Sequence, residues 1–133
     1  MPIESTAVWI ATFLLTSNGL FQAALAAGAP WGQSAYGGRV AQDDGSLPSR
    51  YRVASFVAVP VMALLIWVIH AGAGLVDGGP LPEVLVSRTC TGAAVLFTLN
   101  TAGNLTSSST FERWVMGSVT VSLAVCFALV GLL

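Results

Sequence analysis

The sequence predicts an all-α integral membrane four-helix bundle, and three observations carry that prediction. Only 8% of the 133 residues are charged and 55% are hydrophobic, whereas a soluble domain of this size has about a quarter charged residues. The polar surface that remains is too small to clothe a water-soluble globule, and the mean hydropathy is correspondingly high at +0.80. The apolar residues also fall into four stretches, each close to the ~20 residues that a helix needs to cross a bilayer. These stretches are about 6–28, 53–73, 84–103 and 114–133, in a single domain spanning 1–133.

The first span carries Asn18 and Gln22 one helical turn apart, on a face shared with Gly19, Ala23 and Ala26. Small and amide residues at this spacing let helices approach closely and bond across the contact, or line a polar path. Ala27-Gly28-Ala29 resembles a leader cleavage site. There is no basic region before the apolar run, however, and Pro30 would follow the cut, so the stretch reads as a true span.

The loop 29–52 contains "GAPWGQSAYGGRV" and "GSLPSRYRVAS". Gly32, Gly37 and Gly38 permit positive φ and tight backbone approach. Trp31, Arg39, Arg50 and Arg52 are candidates for gripping a lipid phosphate or another anion, although the lysine of a phosphate-binding P-loop is missing. Pro48 suits the start of the second helix, where a missing N–H costs nothing.

Pro60 lies in the middle of the second span and is expected to kink it. His70 near the end of that span and Arg88 in the third fall in the same half of the bilayer, close to Asp77 and Glu83 in the short turn. One reading is a site where Arg88 holds an anion and His70 relays a proton. Their shallow depth favours the other reading, in which Arg88 snorkels to the turn carboxylates and His70 sits at the interface. Asn100 and Asn104 repeat the one-turn spacing in the third span. Ser118, Ser122 and Cys126 form a stripe of small residues in the fourth.

Between the last two spans lies "NLTSSSTFER", Asn104 to Arg113. Ser109 and Glu112 have capping-box spacing, with the serine oxygen accepting a free backbone N–H and the glutamate reaching back to the serine N–H. Asn104, Thr106, Ser107 and Ser108 are then left to line a polar mouth.

The charges orient the bundle. With four spans, the first and third connections share one side, which holds Arg39, Arg50, Arg52 and Arg113 against Arg88 on the other. The positive-inside rule puts loops 29–52 and 104–113 in the cytoplasm and both termini outside a plasma (inner) membrane. Trp31, Tyr36, Tyr51 and Trp114 mark the same boundary, because an aromatic ring with a polar tip favours headgroup depth.

Several classes are excluded. There is no lysine, and five scattered arginines make no basic patch for nucleic acid. Cys90 and Cys126 are isolated, with no CxxC pair, and read as small apolar fillers. No catalytic residue, cofactor or metal is expected, since His70 has no evident nucleophile beside it and no ligand set is suitably spaced. No carboxylate is embedded mid-span, as a proton-driven small multidrug pump requires. The serine-rich stretch has only a surface likeness to the "TTFSTF" segment of fluoride channels, because the second span lacks their polar track.

The chain resembles a group of small bacterial four-span membrane proteins to which no activity is attached. The resemblance rests on Gly28–Gly32 with Gly37–Gly38, on Leu47–Pro48 followed by Arg50, Arg52 and Ser55, and on Asn104, Ser107, Ser109, Glu112 and Arg113. That group places a proline soon after the Glu-Arg pair, where this chain has Gly117 and Ser118. The resemblance implies that any functional surface lies at the end bearing the two polar loops.

The expectation drawn from all this is a non-enzymatic membrane protein that self-associates and contacts lipid. Its two polar loops would dock through Arg39, Arg50, Arg52 or Arg113 meeting Glu112, Asp43 or Asp44. A transporter or channel lined by the Asn18/Gln22 and Asn100/Asn104 faces is the alternative, and a lipid-binding protein is a further one.

Overall fold

The computed structural model describes residues 2–133. Four helices form the bundle: α1 (Ile3–Ala26), α2 (Ser49–Gly72), α3 (Glu83–Leu105) and α4 (Gly117–Leu132), the last preceded by a π-turn over Glu112–Met116. Pro2, Pro48 and Pro82 stand immediately before α1, α2 and α3 in extended backbone. A proline there fixes φ and removes an N–H that the first turn has no partner for. Thus α2 starts at Ser49 rather than near Val53, and it runs through Pro60 without interruption.

The helices run up and down. α1 packs on α2 and α4, and α3 packs on α4 and α2. The shared core takes Val8, Ala11 and Leu15 from α1, Leu65 and Ile69 from α2, Cys90 and Phe97 from α3, and Leu123 and Phe127 from α4. The spacing of Val8, Ala11 and Leu15 (i, i+3, i+7) is one helical face. Outside this core the surface is apolar as well. Phe13, Phe56, Leu99 and Trp114 are each at least 66% exposed, a distribution that belongs in hydrocarbon rather than water.

Three helices, Ile3–Ala26, Ser49–Gly72 and Glu112–Leu132, are long and apolar enough to cross a membrane. The third expected span, α3, has the length at 23 residues but is the most polar of the four. Its hydroxyls are largely self-satisfied: Thr89, Thr91, Thr98 and Thr101 donate to the carbonyls of Leu85, Ser87, Ala94 and Phe97 one turn back. A side chain bonded in this way presents mostly its methyl group to its surroundings.

Close contact between α3 and α4 depends on Gly131. A methyl group added there would lie 2.8 Å from Thr91 Oγ1 and 2.9 Å from its backbone nitrogen, and Ser87 donates to the Gly131 carbonyl at 2.9 Å. Of the expected stripe of Ser118, Ser122 and Cys126, only Cys126 is buried in the core. The Ser118 and Ser122 hydroxyls return to their own helix, at the carbonyls of Trp114 and Ser118, and the small residues buried beside Cys126 are Gly117, Thr120 and Ala124. Cys90 and Cys126 are free thiols buried in the core.

The loop after α1 is ordered by its own small core, in which Leu25, Ala35 and Leu47 are packed by Phe21, Val40 and Tyr51. Gly32 N–H donates to the Gly45 carbonyl at 2.8 Å, an approach that only glycine permits, since a Cβ at Gly32 would meet that oxygen at 2.7 Å. At the loop tip, Ser46 donates its hydroxyl at 2.7 Å and its N–H at 3.0 Å to Asp44. These bonds hold the Asp44 carboxyl below its ordinary value by favouring the charged form.

Candidate functional site

The two polar loops meet at Gly37. Its N–H donates to Glu112 Oε2 at 3.0 Å, and its carbonyl accepts the Ser108 hydroxyl at 2.6 Å. The same Glu112 oxygen accepts the Ser107 hydroxyl. Docking was expected through arginines, and this is corrected: Glu112, 7% exposed, is held by a backbone N–H and a hydroxyl. The physical reason is reach and cost, because a neutral N–H on a rigid loop can enter a space where a guanidinium would have to shed its water.

The capping box is also half made. Ser109 Oγ accepts the Glu112 N–H at 3.3 Å, as expected. The glutamate does not reach back, however, and the Ser109 N–H is taken by Ser107 Oγ at 3.0 Å. This releases the Glu112 carboxylate for the other loop.

Strain marks the opposing strap. Tyr36 has φ +50° and is followed by Gly37 at +84° and Gly38 at +76°. A left-handed conformation costs a non-glycine residue about 1–2 kcal/mol. Two contacts hold Tyr36 there: its hydroxyl lies 3.0 Å from that of Ser55, which is fully buried, and its ring is 5.0 Å from that of Tyr51.

Beneath the docked loops lies a cavity of about 430 Å³. Ser34–Gly37 and Glu112 line it from the loop side. Asn18, Gln22, Met62, Asn100, Asn104 and Thr120 line it from the four helices and Phe97 from α3. Its depth follows from the helix register. Asn18 is eight residues before the Ala26 end of α1, or about 12 Å along the axis. One turn deeper, Leu15, Phe97 and Leu123 are packed at 0–2% exposure, so an apolar layer closes the far side.

The polar groups of this cavity are unevenly satisfied. Asn104 Nδ2 donates to Thr120 Oγ1 at 3.3 Å, and that oxygen lies 2.9 Å from the Thr101 hydroxyl. Asn18 Nδ2 has only the Met62 sulfur at 3.7 Å. Two oxygens, Asn18 Oδ1 and Gln22 Oε1, are buried with no hydrogen-bond partner among the described residues. Leaving a buried acceptor unpaired costs about 1–3 kcal/mol, and such groups are scarce in folded proteins away from functional places.

The other candidates are dispersed. Trp31 stacks on Phe21 with ring centres 6.2 Å apart. Arg52 donates to the Ala26 carbonyl at 3.1 Å, capping the end of α1. Arg50 lies 4.7 Å over the Tyr51 ring. Arg39 is exposed and Arg113 is half-buried. At the opposite end His70 Nδ1 is 2.8 Å from its own helix's Ile66 carbonyl and packs edge-on to Trp9. Arg88 is exposed on α3. Asn100 lines the cavity from an exposed position.

Sequence reasoning placed Tyr36 at the membrane boundary and Ser55 in the motif behind the resemblance, but gave neither a place in the site, and it did not single out Met62. The available signals were weak: Ser55 is a lone hydroxyl near the start of an apolar span, and Tyr36 precedes a glycine pair. Among the described residues, no three His, Cys, Asp or Glu side chains gather in a way that would hold a metal ion.

No family model, curated protein or solved structure matches this chain.

Proposed function

We propose that the chain is a multi-pass membrane protein that takes a small polar solute into the cavity between its helices and moves it without covalent chemistry. The observation that carries this reading is the pair of buried, partnerless amide oxygens on Asn18 and Gln22, two residues of a cavity lining that also includes Asn100 and Asn104. Helix-to-helix glue would use those oxygens. A site kept for a guest leaves them free.

The docked loops form the mouth. The strained strap at Tyr36–Gly38, fastened to the second loop at one residue, is a suitable gate, since two hydrogen bonds tie it to that loop and the glycines allow it to hinge. The apolar layer of Leu15, Phe97 and Leu123 makes the arrangement closed at its far side, as an alternating-access protein is in one of its states. The loop end faces the cytoplasm in this proposal, supported by Arg39, Arg50, Arg52 and Arg113 there against Arg88 at the other end.

Purified protein in liposomes is expected to release at least one of the trapped small polar solutes urea, glycerol and methylammonium. The double variant Asn18→Leu/Gln22→Leu is expected to lose this flux and yet to unfold at the same or a higher temperature. Replacing unpaired buried acceptors by apolar groups of similar shape is neutral or stabilising. Flux that persists in the double variant, or wild-type liposomes as tight as empty ones, overturns the proposal.

A further inference from the structure

We infer that the guest of this cavity is a small N–H-bearing cation, of primary ammonium or guanidinium type, with Glu112 as its counter-charge. The inference rests on the solute-binding reading above and adds the chemical class.

The charge balance of the lining comes first. Glu112 contributes a carboxylate, and no arginine, lysine or histidine lines the cavity. The glutamate is more than nine-tenths buried, so its charge is poorly screened by water and strongly favours an opposite charge nearby. The loop contacts use only Oε2, which accepts from both Gly37 and Ser107. Oε1 accepts no hydrogen bond from the described residues and is not among the sealed atoms without a partner. One carboxylate oxygen therefore fastens the mouth while the other remains open to a guest.

The hydrogen-bond balance points the same way. The amide N–H groups of Asn18 and Asn104 are directed to Met62 and Thr120, and those of Gln22 and Asn100 remain free of the described residues in the same lining. Asn18 Oδ1 and Gln22 Oε1 have nothing to accept from, and a guest reaches these sealed oxygens only by turning the two side chains. A lining with spare acceptors and a negative charge is complementary to a guest with several N–H donors and a positive charge. An anion meets the wrong sign, and an alcohol or urea leaves the carboxylate uncompensated. A quaternary ammonium supplies charge but no donors. The rings of Phe21, Tyr36 and Phe97 along the same lining suit the apolar part of an alkylammonium.

Equilibrium binding to the full-length protein in nanodiscs separates these classes, using butylammonium, tetramethylammonium, butanol and butyrate as probes. Butylammonium is expected to bind at least about tenfold more tightly than the other three. Glu112→Gln keeps an oxygen for Gly37 and Ser107 and is expected to lower butylammonium affinity about tenfold or more, with little change for butanol. Gln22→Leu, which leaves the loops intact, is expected to weaken butylammonium several-fold while tetramethylammonium shifts less than twofold. It decides the matter if Glu112→Gln does not fold. Equal binding of butanol and butylammonium, with no selective loss in Gln22→Leu, overturns the cation assignment but leaves a polar-solute site standing. Failure of wild type to bind any probe or pass any solute removes both.

Discussion

Gly37 and Gly45 both have positive φ, at +84° and +85°, but their surroundings differ. A Cβ at Gly37 has nothing within 4 Å, whereas one at Gly45 lies 2.9 Å from the Pro30 carbonyl oxygen. Gly37→Ala is therefore expected to cost only the backbone term, about 1–2 kcal/mol, and Gly45→Ala to cost clearly more, because a backbone carbonyl cannot step aside. Thermal unfolding of the two variants in detergent ranks them, and an equal or reversed order contradicts the loop geometry. Glu112 shows the same dependence on its partners. Its sequence context suggests a helix cap, but its carboxylate is spent on another loop because Ser107 has taken over the Ser109 N–H.

The contrast at the level of elements is between the two faces of α3. One face is pressed onto α4, where Gly131 brings the backbones together. The other carries Gly92 and Gly103, at which an added methyl group meets nothing within 4 Å. Gly131→Ala is expected to destabilise by about 1–3 kcal/mol through overpacking. Gly92→Ala is expected to be neutral or to stabilise by up to about 1 kcal/mol, the helix-propensity difference. A destabilising Gly92→Ala, measured by unfolding in detergent, would show that this glycine meets a partner helix. The π-turn at Glu112–Met116 has a local consequence too. It ends at Gly117, whose N–H bonds back to the Glu112 carbonyl, and Glu112, Met116 and Thr120 all line the cavity. A π-turn adds a residue to the helical turn and so rotates the side chains beyond it about the helix axis.

For the whole molecule, the up-and-down course puts the loop after α1 and the loop after α3 at one end, joined at Gly37, and the Gly74–Pro82 turn at the other. In intact cells, Asp43→Cys and Ser108→Cys are expected to react with an impermeant thiol reagent from one face only, and Asp77→Cys from the opposite face. Labelling of Asp43→Cys and Ser108→Cys from different faces would break the four-helix topology. Both native thiols are buried in the core, so they are not expected to add background.

The sequence alone determined the class, the number of helices and their approximate ends. Apolar run length and proline position act locally, and each run had to cross or flank hydrocarbon whatever its neighbours did. It also marked Asn18, Gln22, Asn100 and Asn104, because amides are rare enough in apolar spans to stand out. Only the tertiary structure decided that these four face one cavity, that two of their oxygens are left without donors, and that Glu112 bonds to Gly37 rather than to an arginine or its own helix start. Residues 75 positions apart in the chain carry no local signal of their pairing. Where such a carboxylate ends up depends on which donor the packed helices bring within 3 Å, a property of the assembled bundle and of no single segment.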